Sequence, residues 1–330
     1  YTLSLHDALP IYRFANCLID DDWWILEHAW RTQRWFCERK PHPLLGWVGN
    51  FSRDTYAHLQ KDELNGRIPV LLYGDSFAQC LEEATSFQAF LNNDEEFSKT
   101  HYLLNYGVGG YGVDQIYLLF LNSIDHYEKP FVIFSFMTLD LDRSILTVRD
   151  GQKPYFVADG DDMRLAGVPI DPDIDRFYRM HPPYIRSYFW RLLFHSMEYG
   201  KQECISRRRE KQTLDINRRI LAATIRELRS RKLDFIFLVF QPIESFCGKP
   251  NWNWRDVWIM NFLDGENIPY ICTKDVLDRK APGQKMMDLF VHNNWHPTPF
   301  ANRLIAEEIK RQVLTYKQHA DVVSNHHPGS

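Results

Sequence analysis

Three short segments carry the side chains best suited to chemistry. Ser76 stands in Tyr73-Gly-Asp-Ser-Phe77, just past the apolar run Ile68–Tyr73 and at the start of a helical pattern. A hydroxyl there lies at the carboxyl edge of a sheet, where α/β folds bind ligands. Backbone N–H groups at a helix start point into the same space and suit a developing oxyanion. The second segment, Asn105-Tyr-Gly-Val-Gly-Gly-Tyr-Gly112, again follows an apolar run. Its glycines let a backbone N–H approach a ligand without interference from Cβ, although a turn needing positive φ also accounts for some of them. The third is His296 in Asn293-Asn-Trp-His-Pro297. A serine hydroxyl becomes a nucleophile when a base stands beside it, and histidine is the usual base near neutral pH. His292 and His296 have the spacing of a metal pair, but Pro297 follows at once and no acidic ligand accompanies them, so no metal is expected.

The elements that must position these residues are legible from periodicity. Ile68–Tyr73, His101–Tyr106, Phe131–Phe136 and Asp234–Gln241 read as buried strands, with Ile268–Cys272 a short fifth. Continuous apolar runs suit a parallel sheet covered on both faces. Helical patterns over Phe77–Leu91, Val113–Ser123 and Asn217–Arg231 alternate with them. A last helix is capped by Thr298, with Pro299 in its first turn and Leu304, Ile305, Ile309 and Val313 as its inner stripe. The alternation predicts a doubly wound α/β sheet. Two regions depart from it. Residues 12–66 form a Trp-containing N-terminal arm. The segment 143–214 is an insertion in which Asp159-Gly-Asp-Asp162 predicts a hairpin turn. The main α/β domain is expected over 67–317 and a frayed tail over 318–330.

Composition narrows the partners. The formal charge is −4, which argues against a nucleic-acid backbone, and Arg207-Arg-Arg209 lies between Glu203 and Glu210 as a solvated helix end would. The six cysteines form no CxxC and no zinc spacing, and read as free thiols in a reducing compartment, which favours the cytoplasm. No apolar stretch reaches membrane-spanning length. Tyr1–Ile11 resembles translated sequencing-adapter read-through, so the true N-terminus, with any export signal, is expected upstream. Trp252, Trp254 and Trp258 read first as packing residues and second as a sugar platform.

Taken in order, GDSF, NYGVGGYGVDQ and WHPTPFANRLIAEEI resemble the motifs of the SGNH (GDSL-type) hydrolase superfamily, over roughly residues 68–314. The resemblance implies a flavodoxin-like three-layer α/β/α sandwich with a central parallel sheet. It further implies an esterase, lipase, thioesterase or carbohydrate O-acetyl hydrolase or transferase that needs no cofactor. Carried over by position, Ser76 is the nucleophile and its own N–H an oxyanion donor, Gly110 gives a second N–H, and His296 is the base, with Asp75 beside the nucleophile in a supporting place. Two positions depart from the pattern. The block that normally offers an Asn donor before an Asp reads Met137-Thr-Leu-Asp140, so Leu139 cannot donate; Thr138 is a candidate substitute and Asp140 reads as structural. The acid expected three residues before the histidine is Asn293, whose carbonyl can orient the imidazole without supplying a charge. Asp288, a backbone carbonyl or a bare Ser-His dyad are the alternatives. The implied substrate is a small-molecule or glycan ester. Acyl transfer to a sugar and a non-catalytic binding protein on the same fold are the competing readings.

Overall fold

The structure, a computed structural model, describes residues 40–48, 64–82, 85–147, 152–173, 176, 180, 202–246, 252–292 and 295–316. The expectations for Tyr1–Ile11, for most of the arm, for the tail and for Asn293 lie outside the described residues. The chain divides into two compact units, the first within Tyr1–Ala57, Gly110–Leu121 and Asp140–Ala223, the second within His58–Gly109, Asn122–Leu139 and Thr224–Ser330.

The second unit is built on a five-stranded sheet. The first unit contributes β1 (Lys40–His42) and β2 (Gly46–Val48); the sheet strands that follow are β3 (Ile68–Gly74), β4 (His101–Gly107) and β5 (Phe131–Met137). After the first unit's hairpin β6 (Tyr155–Asp159) and β7 (Asp162–Ala166) come β8 (Phe235–Phe240) and β9 (Tyr270–Cys272). The order is β4-β3-β5-β8-β9 with every pair parallel. Strand order reverses about β3, so the crevice at its carboxyl end, next to β5, is the topological switch point where such sheets bind ligands. Each apolar run became a strand because both of its faces are buried. Val70, Leu72, Ile133, Leu238 and Phe240 pack in one cluster with helix residues Phe77, Phe87, Leu277, Ile305 and Ile309. Leu71, Tyr73, Val132, Phe134 and Phe237 of the opposite face are equally buried. There the Tyr73 hydroxyl bonds the Ser123 hydroxyl at the end of a helix (2.9 Å), and Ile225 and Leu228 are buried. The unit is a three-layer α/β/α sandwich.

The helices are α1 (Ser76–Gln79), α2 (Phe87–Asn92), α3 (Val113–Ser123), α4 (Asp140–Arg143), α5 (Gln202–Ser230), α6 (Trp254–Gly265), α7 (Thr273–Lys280), α8 (Met286–Leu289) and α9 (Pro299–Thr315). Two differ from the sequence pattern. Phe77–Leu91 is not one helix: the chain leaves α1 at Cys80, whose φ is +65°, and α2 restarts under a Ser86 cap that accepts from the Ala89 N–H. Helix α5 begins well before Asn217, taking in Arg207–Arg209. Trp252 precedes α6, and Trp254 and Trp258 lie in its first turns; the Asn253 side chain caps it by accepting from Arg255 and Asp256 N–H, and Trp258 stacks on Phe262 at 5.7 Å.

In the first unit β1 and β2 are antiparallel, and so are β6 and β7, with Gly160 at φ +59° in the expected turn. The α3 side chain of Gln115 donates to the Leu45 carbonyl (2.8 Å), and Ile170 N–H to the Pro43 carbonyl (2.8 Å). The unit buries an ion pair between Lys153 and Asp114, with no exposure on either side chain.

Candidate active site

The nucleophile turn is assembled from β3 outward. Gly74 ends the strand where a Cβ would come within 2.2 Å of Ser135 Oγ and 2.5 Å of Ala78 Cβ, so only glycine lets α1 pack this close. Asp75, fully buried, is the helix cap: its Oδ1 accepts from Phe77 N–H at 2.9 Å and its carbonyl from Gln79 N–H at 3.0 Å. That role keeps Asp75 beside the nucleophile as a backbone anchor. Ser76 is the first residue of α1 and half-buried.

His296 arrives from the opposite end of the domain on a tight hairpin. Val291 N–H donates to the His296 carbonyl (2.9 Å), Trp295 N–H to the Val291 carbonyl (3.0 Å), and Phe290 pairs with Pro297 as an isolated bridge. Thr298 locks the hairpin base, its N–H donating to the Leu289 carbonyl at 2.8 Å and its hydroxyl to the Asp288 carbonyl at 2.7 Å, while also capping α9. Trp295 takes the left-handed φ of +57° that this reversal needs. The result is His296 Nε2 at 2.9 Å from Ser76 Oγ. The imidazole also lies on the Phe77 ring, centroids 4.8 Å apart. Phe77 is thus an apolar support for the base, a role its place in GDSF did not announce.

The remaining candidates are placed as follows. The Thr138 hydroxyl donates to Asp256 Oδ1 (2.7 Å), whose Oδ2 accepts from Ser245 (2.7 Å), so its proton is committed to a buried carboxylate. Leu139 packs against the core and offers no donor. Asp140, in the first unit, is buried against Arg143 at 2.5 Å. Gly110 also belongs to the first unit and has φ +83°. Asp288, inside α8, accepts from the N–H of the cap residue Lys285 at 3.2 Å. Among the described residues no cluster of His, Cys, Asp and Glu could hold a metal ion, and no helix is long and apolar enough to cross a membrane.

Sequence reasoning passed over two side chains that tie β4 to α1. Asn105 Nδ2 donates to the Ala78 carbonyl (2.7 Å) and its Oδ1 accepts from Gly107 N–H (2.9 Å). Gln79 Oε1 accepts from Gly109 N–H (2.9 Å). The signal was present in the spacing of Asn105 within the glycine-rich block, but the partner carbonyl was not. Gly107 lies at the same contact: a Cβ would stand 2.3 Å from Gln79 N and 2.8 Å from the Ala78 carbonyl carbon. Both are backbone atoms, so α1 must shift to admit it. Gly107→Ala is expected to cost about 1–3 kcal/mol of stability and to lower turnover beyond that, measured as Tm alongside kcat on a soluble acetate ester.

No family model matches the chain, and no curated protein matches it. Solved structures similar to it include a member of the lipolytic protein G-D-S-L family from Veillonella parvula DSM 2008, at 13% identity and a TM-score of 0.40, covering 76% of this chain and 99% of that one. An acetyl xylan esterase is similar at 14% identity and a TM-score of 0.43, with 76% and 100% covered. An acetylxylan esterase from Geobacillus stearothermophilus is similar at 13% identity and a TM-score of 0.44, with 76% and 95% covered.

Proposed function

We propose that this chain is a serine esterase of the SGNH type that cleaves an acyl or acetyl ester, carbohydrate O-acetyl groups included, through an acyl-enzyme on Ser76. The observation that carries the reading is the 2.9 Å approach of His296 Nε2 to Ser76 Oγ at the carboxyl edge of a parallel sheet. At that distance the imidazole accepts the hydroxyl proton as Oγ attacks the ester carbonyl carbon. The imidazolium then returns the proton to the departing alkoxide, leaving the acyl group on Ser76. Water, or a sugar hydroxyl in a transferase, repeats the sequence in reverse. The Ser76 N–H is the oxyanion donor that travels with the nucleophile; Gly110 and Asn293 are proposed as second donor and imidazole orienter.

A binding protein on the same fold is the second reading, favoured by Leu139, where a donor worth about 2.7–4 kcal/mol in other hydrolases is missing. A fluorophosphonate probe separates the two. The expected result is one covalent adduct per chain, located on Ser76 by peptide mass. Folded protein that stays unlabelled overturns the esterase reading.

A further inference from the structure

We infer that Asn105 and Gln79 form a reciprocal clamp that sets the position of the nucleophile, which makes both of them positioning residues. The inference rests on the esterase reading of Ser76 and adds to it how a very short helix holds its hydroxyl in place. Helix α1 has four residues and stops at Cys80 with φ +65°. Two backbone bonds, Gln79 N–H to the Asp75 carbonyl and Cys80 N–H to the Ser76 carbonyl, are too few to fix a turn by themselves.

The neighbouring strand supplies the rest from both directions. The Asn105 amide donates to the Ala78 carbonyl of α1, while its oxygen is held by Gly107 N–H and its own N–H donates to Gln88 Oε1 at 2.9 Å. In return, Gln79 of α1 reaches back to Gly109 N–H. The absent side chain at Gly107 lets the two backbones touch. Every one of these contacts is to the backbone or to a supporting side chain, so the clamp acts on the angle at which Ser76 Oγ meets the His296 imidazole. Misplacement by about 1 Å costs on the order of 100-fold in rate, which a loosened one-turn helix reaches easily.

The four variants separate the arms. Asn105→Ala removes both; Asn105→Asp keeps the acceptor for Gly107 but sets an oxygen against the Ala78 carbonyl. Gln79→Ala removes the return arm and Gln79→Glu keeps its acceptor. The experiment is fluorophosphonate labelling of the full chain, recording the number of sites labelled at completion and the rate constant per labelled site, with kcat and KM on a soluble acetate ester. The expected result is full stoichiometry with a per-site rate lowered roughly 10- to 100-fold in both Asn105 variants. The same factor should appear in kcat with KM changed less than twofold, and Gln79→Glu should recover rate lost in Gln79→Ala. A role in folding alone lowers the stoichiometry and leaves the per-site rate at the wild-type value, and that outcome overturns the inference. Should Asn105→Ala fail to fold, Asn105→Asp and Gln79→Ala give the same readout. Wild-type protein that does not label overturns the esterase reading and the clamp with it, whereas labelling at one unvarying rate overturns the clamp alone.

Discussion

Ser76→Ala is expected to lower kcat/KM on a small acetate ester by roughly 10⁴- to 10⁶-fold, the scale seen when a serine nucleophile acting with its histidine is removed. The reason is that the acyl group has nowhere to go. Without Oγ, the His296 imidazole can still polarise a water, and the backbone donors can still hold the carbonyl, which leaves a residual rate above uncatalysed hydrolysis. Two features place the loss towards the lower end. Leu139 offers no hydrogen bond to the oxyanion and the Thr138 hydroxyl is committed to Asp256, so the wild-type rate being lost is itself that of an enzyme with fewer donors. The fold should be unaffected, because Ser76 reaches the rest of α1 through its carbonyl, which accepts from Cys80 N–H, and not through its hydroxyl. His296→Ala should cost about as much as Ser76→Ala, and the double variant little more than either, since the two act as one unit. Turnover that persists at the wild-type level in Ser76→Ala, with Tm unchanged, would remove Ser76 from the reaction altogether.

What could be read from the sequence, and what could not, follows the range of each interaction. Phe131–Phe136 declared itself a strand because every residue but Ser135 is apolar, which a doubly covered strand or a buried helix explains, and its length decides between them. The start of helix α9 was readable because its signals, the Thr298 cap and Pro299 in the first turn, are local. The break at Cys80 was not, because a cysteine carries no propensity for positive φ and the apolar spacing runs on past it. The early start of α5 was hidden for the opposite reason: residues 202–216 are so polar that no apolar stripe marks them. At the site, Ser76 and His296 stood out as residue types in telling places, but their 2.9 Å contact joins positions 220 apart in sequence. The same distance in sequence concealed the fate of Thr138, whose partner Asp256 lies 118 residues away, and made the hydroxyl look available. Asn105 shows the middle case: its motif was visible and its function in the motif was not, because that depends on a carbonyl 27 residues earlier.

The largest effect on stability should come from the first unit. Lys153→Met is expected to destabilise the fold by about 3–5 kcal/mol, the cost of leaving one member of a buried ion pair uncompensated. Lys153 Nζ contacts Asp114 and the carbonyls of Leu146 (3.0 Å) and Pro154 (2.9 Å), three acceptors for its three protons. Burial pushes the Asp114 carboxyl up to about 6 even though the Lys153 charge pulls it down, and burial likewise lowers Lys153. Removing the ammonium takes away the largest downward pull and leaves only the backbone N–H groups of Gln115 and Asp114 against burial, so the folded-state pKa of Asp114 rises further. A carboxyl whose folded pKa exceeds its unfolded value binds its proton more tightly when folded, and stability falls as pH rises between the two values. Lys153→Met should therefore be hurt less at pH 5 than at pH 8, as measured by urea midpoints at both. Asp114→Asn should be about as damaging at neutral pH, because the buried ammonium then has carbonyl acceptors but no counter-charge. The decisive variant combines Asp114→Leu with Lys153→Met. Apolar replacement of a whole buried pair is often neutral, so the double variant should regain most of the loss and show no step in stability between pH 5 and 8. A double variant as unstable as the sum of the singles would mean that the pair does not act as a unit, and that the Lys153 contacts to Leu146 and Pro154 hold this region together by themselves.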